Sequence, residues 1–386
     1  MKSNKIRLGE QCVVTSSKRF HLSERITQGV PFYCSKEIIK KFNGEDVTEC
    51  DYISDDLYKK VSNEFGVPKE NDLLITTRGT IGIPYLYKRT DRFYFADGNL
   101  TWIKDFDSNL YSKFLYYWFQ SYEGRKKFEA LAKGTAQKAV PISGIKTLEI
   151  ELPSLKSQKR IADILSAYDD LIENNQKQIK LLEEVAQRLY KEWFVDLRFP
   201  GHENTKIVDG VPEGWIKEKI GKIIKKVHRT KQIVASEYKD EGSIPIVDQS
   251  RAFVAGYTND LEARVDFGIP IIVFGDHTRI VKLIQFPFAK GADGTQLIIS
   301  DCLEMPQRLL YCSIMNVDLS NYHYARHFKY LKEEKIMIPT VKVANEFENN
   351  VTGIFSKIQN CRDEIIRCQK TRDLLLPKLM SWEVEV

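Results

Sequence analysis

A heptad pattern that occurs twice in this 386-residue chain restricts its fold more than any other feature. From about residue 155 to residue 194, apolar side chains alternate at spacings of four and three, which predicts one long helix with a coiled-coil seam. Adding 186 to each seam position gives a second seam with the same spacing near the C-terminus. The first seam contains Ile161, Leu165, Tyr168, Ile172, Asn175, Ile179, Leu182, Ala186, Leu189 and Trp193, and the second contains Phe347, Val351, Ile354, Ile358, Cys361, Ile365, Cys368, Arg372, Leu375 and Leu379.

The offset of 186 residues also holds for the segments just before the two seams. Residues 150–152 form a short strand-like run that ends at Pro153, and residues 336–338 form a matching run that ends at Pro339. A proline shortly before a helix is a common start signal. Two seams in one register, each preceded by the same strand and proline, indicate an internal duplication.

The segments that precede the helices are rich in Gly, Tyr, Phe, Val and Ile, and they contain short strand-like runs that end in glycine turns. Such runs predict β-rich domains. The sequence therefore predicts an α+β fold with two β-rich domains, two long antiparallel helices that form an intramolecular coiled coil, and pseudo-two-fold symmetry. The predicted segments are a first β-rich domain at 1–153, a first helix at 154–196, a linker at 197–214, a second β-rich domain at 215–339 and a second helix at 340–386.

An exposed apolar seam is not stable in water, so each helix needs a partner, and the other copy in the same chain is the nearest one. Asn175 resembles the buried asparagine that fixes the register of coiled coils. The first seam spans about 50 Å at ~1.5 Å per residue, and B-DNA advances ~34 Å per turn. A rod of this length with a domain at each end would suit a bipartite DNA target. A scaffold with two protein-binding heads would have the same layout.

The composition permits several classes of protein and disfavours others. Hydrophobic residues make up 42% of the chain, which is enough for folded cores, and the net charge of +5 permits a nucleic-acid partner without requiring one. The seven cysteines are scattered with no CxxC pair, which argues against a disulfide framework and a zinc site and favours a reducing cytoplasm. The sequence has no apolar run of about 18 residues, so we expect a soluble, cytoplasmic protein.

Four clusters occur in a characteristic order around the first helix. They are Leu152-Pro153, Gln158–Ala162, Trp193–Asp196 and Pro212–Trp215. Together they resemble the central conserved region of the specificity subunits of type I restriction–modification systems. The resemblance covers essentially the whole chain and is weakest in the C-terminal helix. Within the β-rich domains, the segments that are similar to the same family are Asn71–Gly82, Gly275–Arg279 and Gly291–Thr295.

The resemblance implies that each β-rich domain is a target-recognition domain that reads one half of an interrupted DNA site. It also implies that the paired helices form a platform for two adenine methyltransferase subunits, which bind S-adenosylmethionine and flip the target base. Restriction subunits that use ATP and Mg²⁺ for translocation and cleavage would join this complex. The chain itself would bind no cofactor.

Two loops that follow strands, and one basic segment later in each half, are the candidate DNA contacts. An arginine beside a glycine in such a loop can reach a base edge or a phosphate. An ordinary glycine turn with a solvated arginine, or an internal salt bridge between Asp276 and Arg279, would explain the same residues. The candidates are Thr77, Arg78, Gly79, Thr80, Lys133, Gln137, Lys138, His277, Thr278, Arg279, Tyr324, Arg326 and His327.

The end of the first helix carries Trp193 and Phe194, which we expect either to dock a methyltransferase subunit or to close the end of the coiled coil. We predict no metal site, because His277 has no second His or Cys at ligand spacing. The sequence contains neither the Pro-Pro-aromatic tetrapeptide of amino-methyltransferases nor a phosphate-binding GxxxxGK[ST] loop. These observations favour a non-catalytic subunit. The alternative is an enzyme whose catalytic site has no recognisable motif.

Overall fold

The chain folds as two units, each of which contains one β-rich domain and one stretch of both long helices. The computed structural model describes residues 4–134, 138–227, 230–291, 294–322 and 326–384. Unit 1 comprises Met1–Gln176 and Glu364–Val386, and unit 2 comprises Lys177–Asp363. The boundary between the units therefore crosses both helices, whereas the sequence predicted each helix as a separate segment.

In unit 1, one antiparallel sheet has the strand order β2-β8-β5-β6, a second sheet has the order β4-β3-β7, and β1 pairs with β9. The strands are β1 (Asn4–Arg7), β2 (Val13–Thr15), β3 (Val30–Tyr33), β4 (Asp51–Ile53), β5 (Leu73–Thr76), β6 (Pro84–Leu86), β7 (Tyr94–Phe95), β8 (Leu100–Lys104) and β9 (Glu149–Leu152). The helices are α1 (Ser35–Phe42), α2 (Asp55–Glu64), α3 (Ser112–Gln120), α4 (Tyr122–Glu129), α5 (Ile142–Lys146) and the start of α6 (Leu155–Tyr190).

In unit 2, the sheets have the orders β13-β19-β14-β15, with β16 also on β19, and β18-β17-β20, while β12 pairs with β21 and β10 with β11. The strands are β10 (Ile207–Val208), β11 (Val211–Pro212), β12 (Ile216–Lys219), β13 (Gln232–Ile233), β14 (Ile244–Val247), β15 (Gly256–Thr258), β16 (Arg264–Val265), β17 (Ile271–Gly275), β18 (Val281–Ile284), β19 (Phe288–Gly291), β20 (Thr295–Ile298) and β21 (Lys335–Ile338). The helices are α7 (Gln307–Met315), α8 (His327–Glu333) and α9 (Val341–Met380).

The two units share several strand pairings. In unit 1 β5 lies between β6 and β8, and in unit 2 β17 lies between β18 and β20. The pairs β1–β9 and β12–β21 are both antiparallel, and the strands β9 and β21 lie 186 residues apart. The structure thus confirms the α+β fold, and the predicted offset describes the tertiary structure as well as the sequence.

Two glycines show how closely the repeats agree. A Cβ atom on Gly9 would lie 3.0 Å from the carbonyl oxygen of Lys146, and a Cβ atom on Gly221 would lie 3.0 Å from the carbonyl oxygen of Lys332. Lys146 and Lys332 are 186 residues apart. The turns after β1 and after β12 are therefore pressed against the backbone that precedes β9 and β21, where glycine fits without displacing its neighbour.

The long helices are close to the predicted ones but end earlier. Helix α6 begins after Ser154, whose hydroxyl accepts a hydrogen bond from the backbone N–H of Ser157 at 3.2 Å, as expected for an N-cap. It ends at Tyr190 and continues as one wider turn, Lys191–Val195. Helix α9 ends at Met380 rather than at the end of the chain. Among the described residues, no helix is long and apolar enough to cross a membrane.

The seam residues face the interior of each unit, and the helices are antiparallel there. In unit 1, Ile161 and Leu165 pack in one core with Leu379, and in unit 2 Ala186 packs with Phe347. The buried seam residues are Ile161, Leu165, Ile172, Asn175, Ala186, Trp193, Phe347, Val351, Ile358, Cys361, Cys368 and Leu379. The half-buried ones are Tyr168, Ile179, Leu182, Leu189, Ile354, Ile365, Arg372 and Leu375.

The buried face of α9 includes more positions than the heptad seam predicted from the sequence. Phe355 and Leu376 are buried, whereas their predicted neighbours Ile354 and Leu375 are only half-buried. The ring of Phe355 contacts the ring of Tyr311 in α7, with the centroids 5.6 Å apart. Because α9 packs against its own β-rich domain as well as against α6, its apolar stripe is broader than a two-helix seam.

Candidate nucleic-acid interface

Three segments of unit 1 meet where β5 ends. The backbone N–H of Thr77 donates to the carbonyl oxygen of Asn99 at 2.9 Å, and the N–H of Val140 donates to the carbonyl oxygen of Thr77 at 2.9 Å. The loop after β5, the turn before β8 and the segment before α5 are thereby joined through Thr77. This junction brings together the two segments that the sequence selected in the first half of the chain.

The described ends of the second segment pair with each other. The backbones of Lys133 and Ala139 exchange two hydrogen bonds, of 2.8 and 2.9 Å, and Ala139 also bridges to Arg78. Lys133, Arg78 and Lys138 are exposed. Gln137, which the sequence also selected, lies outside the described residues.

The four candidates in the loop after β5 divide into two kinds. Thr77 is only 4% exposed, so it holds the junction rather than presenting its hydroxyl to a large ligand. Arg78, Gly79 and Thr80 are exposed. Gly79 has a φ of 75°, a left-handed conformation that glycine adopts without strain.

Unit 2 contains the same junction at the end of β17. The N–H of Asp276 donates to the carbonyl oxygen of Gly294 at 2.7 Å, and the N–H of His327 donates to the carbonyl oxygen of Asp276 at 2.9 Å. Asp276 therefore occupies the position that Thr77 occupies in unit 1. Its carboxylate also accepts a hydrogen bond from the N–H of Phe328 at 2.8 Å, at the start of α8.

The prediction that His327 contacts DNA is wrong for a physical reason. The side chain is buried, with 5% of the residue exposed. Nδ1 lies 2.9 Å from the carbonyl oxygen of Asp276, and Nε2 lies 3.0 Å from the carbonyl oxygen of Tyr322. Both ring nitrogens are used inside the protein, so His327 fastens the junction. Arg326 is exposed, and Tyr324 lies outside the described residues.

The loop at 277–279 is exposed and is held from two sides. The hydroxyl of Thr278 donates to the carbonyl oxygen of Gln249 at 2.7 Å, and the N–H of His277 donates to the Gln249 side-chain oxygen at 3.2 Å. Arg279 has a φ of 61°, and its guanidinium donates to the carbonyl oxygen of Leu319 at 3.0 Å. Within the part of the chain that the structure describes, Arg279 and Asp276 form no salt bridge, because each has another partner.

Sequence reasoning missed Lys282, which supports this loop from beneath. Its side chain is 5% exposed, and its ammonium donates to the carbonyl oxygens of Asp248 and Ala252, the first at 2.8 Å. Burial lowers the pKa of Lys282 to about 8, an effect that the nearby Asp248 carboxylate partly offsets. Lys282 thereby fixes residues 248–252, including Gln249. The available signal was a lysine inside an apolar strand, since such a residue needs polar partners when it is buried.

The same loop is connected to the helices of unit 2. The guanidinium carbon of Arg362 lies 3.8 Å from the ring centroid of Phe253, which follows residue 252 in the loop. Arg362 also pairs with Glu183, with Nη2 and Oε1 2.8 Å apart. Residues 248–253 therefore link the exposed loop at 277–279 to an ion pair between α6 and α9.

The structure does not support docking of a partner on Trp193 and Phe194. They are 7% and 5% exposed and belong to the core of unit 2. The ring of Phe194 packs against Phe347 and Trp215, with centroid distances of 5.1 and 5.6 Å. Both residues close the core where α6 ends, which was the alternative expectation.

The described residues contain no group of three or more His, Cys, Asp or Glu side chains that could hold a metal ion. The seven cysteines are free, and burial raises the pKa of Cys12 to about 12. A buried thiol with a raised pKa is a poor nucleophile and a poor metal ligand.

Comparisons with known proteins agree on one family. A model of the type I restriction modification DNA specificity domain matches residues 3–184. The specificity subunit of the type I restriction enzyme MjaIX of Methanocaldococcus jannaschii is 29% identical over 303 residues, which cover 71% of this chain and 69% of that protein. A putative type I restriction enzyme specificity subunit of Haemophilus influenzae is 28% identical over 187 residues, 48% of this chain and 45% of that protein.

The fold is also similar to that of a solved structure. The crystal structure of the S subunit of a type I restriction–modification system from M. genitalium aligns with a TM-score of 0.62 and 18% identity, over 98% of this chain and 96% of that one. At this identity the likeness supports the fold alone, while the family model and the relatives support the role. The chain is thus similar to type I restriction–modification specificity subunits in sequence, through the family model over residues 3–184 and through relatives aligned over up to 71% of its length, and in fold.

Proposed function

We propose that this chain reads an interrupted DNA target, with one β-rich domain for each half, and positions adenine methyltransferase subunits on it. The observation that carries the proposal is the repeated junction. In both units a strand end, a turn and the segment before a helix are joined by the same backbone hydrogen bonds, through Thr77 in one and Asp276 in the other. Beside each junction lie exposed polar and basic side chains.

The repeated frame and the differing exposed residues together suit two distinct half-sites. The frame residues Thr77 and Asp276 are buried, whereas Arg78 and His277, which follow them, are exposed and differ in chemistry. Arginine, histidine and threonine side chains can contact base edges and phosphates. Each unit would thus present its own set of contacts on a common frame. The exposed candidates are Arg78, Gly79, Thr80, Lys133, Lys138, His277, Thr278, Arg279 and Arg326.

The partners follow from the same proposal. Two methyltransferase subunits would dock on the helices and supply S-adenosylmethionine, and restriction subunits would supply ATP- and Mg²⁺-dependent activity. Trp193 and Phe194 are not part of this docking surface, because they are buried. The idea that the helix length sets the gap between the half-sites stays a prediction from the sequence.

A genome-wide map of N6-methyladenine in the host, with the gene intact and deleted, tests the proposal. We expect the deletion to remove methylation at one split motif, which has a short half on each side of a fixed gap. Restoring the gene should restore the same motif. An unchanged map in a strain that expresses the protein would contradict the proposal and favour a scaffold that binds other proteins.

A second measurement distinguishes this role from that of an enzyme. The purified chain should bind duplex DNA with a strong salt dependence and should not bind S-adenosylmethionine. Tight binding of S-adenosylmethionine by the chain alone would contradict the proposal.

A further inference from the structure

A cleft of about 330 Å³ lies beside the junction of unit 1. Its lining includes Arg78 and Lys133 from the two candidate segments, together with Ser16 from the segment after β2. Gly98 also lines it, and both Gly98 and Gly79 have positive φ and open space where a Cβ atom would be. No side chain at these two positions would keep a polymer backbone away from the cleft.

Ser16, which lines this cleft, has a hydroxyl without a described partner. Its oxygen is buried, and it has no hydrogen-bond partner among the residues that the structure describes. A buried hydroxyl without a partner is unfavourable, and such groups in native proteins call for an explanation. Rotation of the Ser16 side chain toward the cleft would let the hydroxyl donate to a ligand with acceptor oxygens.

The charge of the cleft indicates the sign of that ligand. Arg78 and Lys133 are exposed, and neither forms an ion pair with a residue in the described part of the chain. The lining contains no carboxylate. Two cations without counter-ions and a hydroxyl donor favour a phosphate group.

Apart from Thr77 and Thr101, the remaining side chains of the lining are apolar. Leu100, Val140 and Pro141 line the cleft beside the polar groups. A free phosphate would leave these walls unused, whereas a deoxyribose has C–H groups that can pack against them.

We propose that this cleft holds one deoxyribose-phosphate unit of the target duplex. The phosphate lies against Ser16, Arg78 and Lys133, and the sugar lies against the apolar walls. The proposal rests on the proposed function and assigns different roles to two groups of residues. The cleft fixes the position of unit 1 on the DNA, and exposed residues outside the cleft read the bases. Contacts to the sugar and phosphate fix register without carrying sequence information.

The test uses the full chain assembled with its methyltransferase subunits and a duplex that carries the methylated motif. Each phosphate of the half-site read by unit 1 is replaced in turn by an uncharged methylphosphonate, and binding is measured. For the wild type, one replacement should weaken binding about tenfold, because it removes charge-assisted hydrogen bonds. For the variant with Ser16→Ala and Lys133→Ala, the same replacement should have an effect of about threefold or less, since only Arg78 remains of the three proposed partners.

Two further readouts separate a phosphate contact from a structural role. Loss of one phosphate contact should reduce the slope of log binding constant against log salt concentration by about 0.9. The methylated motif should stay the same in the Ser16→Ala variant. The melting temperature of this variant protein should not fall, because the substitution removes an unpaired hydroxyl. The matched controls are Ser17→Ala, whose hydroxyl is also buried without a described partner but does not line the cleft, and the exposed Arg89→Ala.

The failures are distinguishable. If the wild-type complex shows no sequence-dependent binding, the proposed function itself fails. If it binds but no phosphate position couples to Ser16 and Lys133, the cleft is not a backbone site and the inference is overturned. A changed base sequence in the half-site read by unit 1 of the Ser16→Ala variant would also overturn the inference, since Ser16 would then read a base.

Discussion

At the scale of single residues, Lys282 is a buried charge that supports an exposed loop from inside the protein. Its ammonium holds the carbonyl oxygens of Asp248 and Ala252, and the loop between them holds His277 and Thr278. Burying an ammonium is costly unless it has hydrogen-bond partners. We infer that the position of the exposed loop depends on this one side chain.

Replacing Lys282 with methionine should weaken recognition of one half-site only. The carbonyl oxygens would lose their donor, and the loop that carries Gln249 would lose its fixed position. We expect the methylated motif to become degenerate in the half read by unit 2, while the other half stays unchanged. Methylation mapping in strains with Lys282→Met and with the exposed-residue control Lys226→Met would show this. Equal degeneracy in both halves would contradict the assignment.

The pH dependence of stability offers an independent check on Lys282. Burial lowers its pKa from 10.5 to about 8 in the folded protein, so between these pH values the unfolded chain binds more protons. The unfolding free energy must therefore rise with pH in this window. From about pH 7.5 to about pH 10, the unfolding free energy of the wild type should rise by on the order of 2 kcal/mol relative to that of Lys282→Met. Urea unfolding of both proteins at each pH measures the difference, and a flat difference would show that the ammonium is solvated.

At the scale of elements, the pairing of α6 with α9 in unit 1 depends on a polar contact as well as on the apolar seam. Arg372 and Asp169 form a salt bridge with Nη1 and Oδ1 2.6 Å apart, and the Tyr117 hydroxyl donates to the same carboxylate at 2.6 Å. Burial and the Asp169 charge both raise the pKa of Tyr117, so it remains a donor. This contact joins α3, α6 and α9 at one level.

Removing the cation from this contact should destabilise unit 1. Arg372→Met leaves the Asp169 carboxylate half-buried with only the Tyr117 donor, and we expect a loss of about 1–3 kcal/mol. The double variant with Asp169→Asn should recover part of the loss, since the unpaired charge is gone. Urea unfolding with the exposed-residue control Arg367→Met measures both effects. A double variant that is less stable than Arg372→Met would contradict this explanation.

The elements were predictable from the sequence where the signal is local. The heptad spacing and the strand–proline segments gave the duplication and both long helices, because these patterns depend on neighbours in the chain. The choice of Phe355 over Ile354 as the buried residue depends on α7, which is distant in sequence. The sequence also placed His327, Trp193 and Phe194 on surfaces. They are buried by elements that are distant in sequence, so only the tertiary fold shows their burial.

The candidate site was predictable in its segments but not in its roles. Repeated positions after β5 and β17 selected two exposed loops, and the structure joins each to the later segment through backbone hydrogen bonds. Gln249, Lys282 and Ser16 were missed because their importance comes from contacts with residues far along the chain. Sequence patterns identify loops that can bind, whereas the supporting residues appear only when the fold is known.

At the scale of the whole molecule, the central claim is that the two β-rich domains read two halves of one target independently. Each unit has its own sheets, its own junction and its own exposed loops. Since each junction is closed within its unit, one recognition surface can change without disturbing the other. Both long helices contribute residues to each unit.

The most direct test replaces residues 1–153 with the matching domain of a relative that has a different target, and maps N6-methyladenine in the host. We expect a hybrid motif in which one half has a new base sequence and the other half keeps its original bases. The wild-type gene and a reciprocal replacement of residues 215–339 are the controls. A motif altered in both halves would contradict independent reading by the two domains.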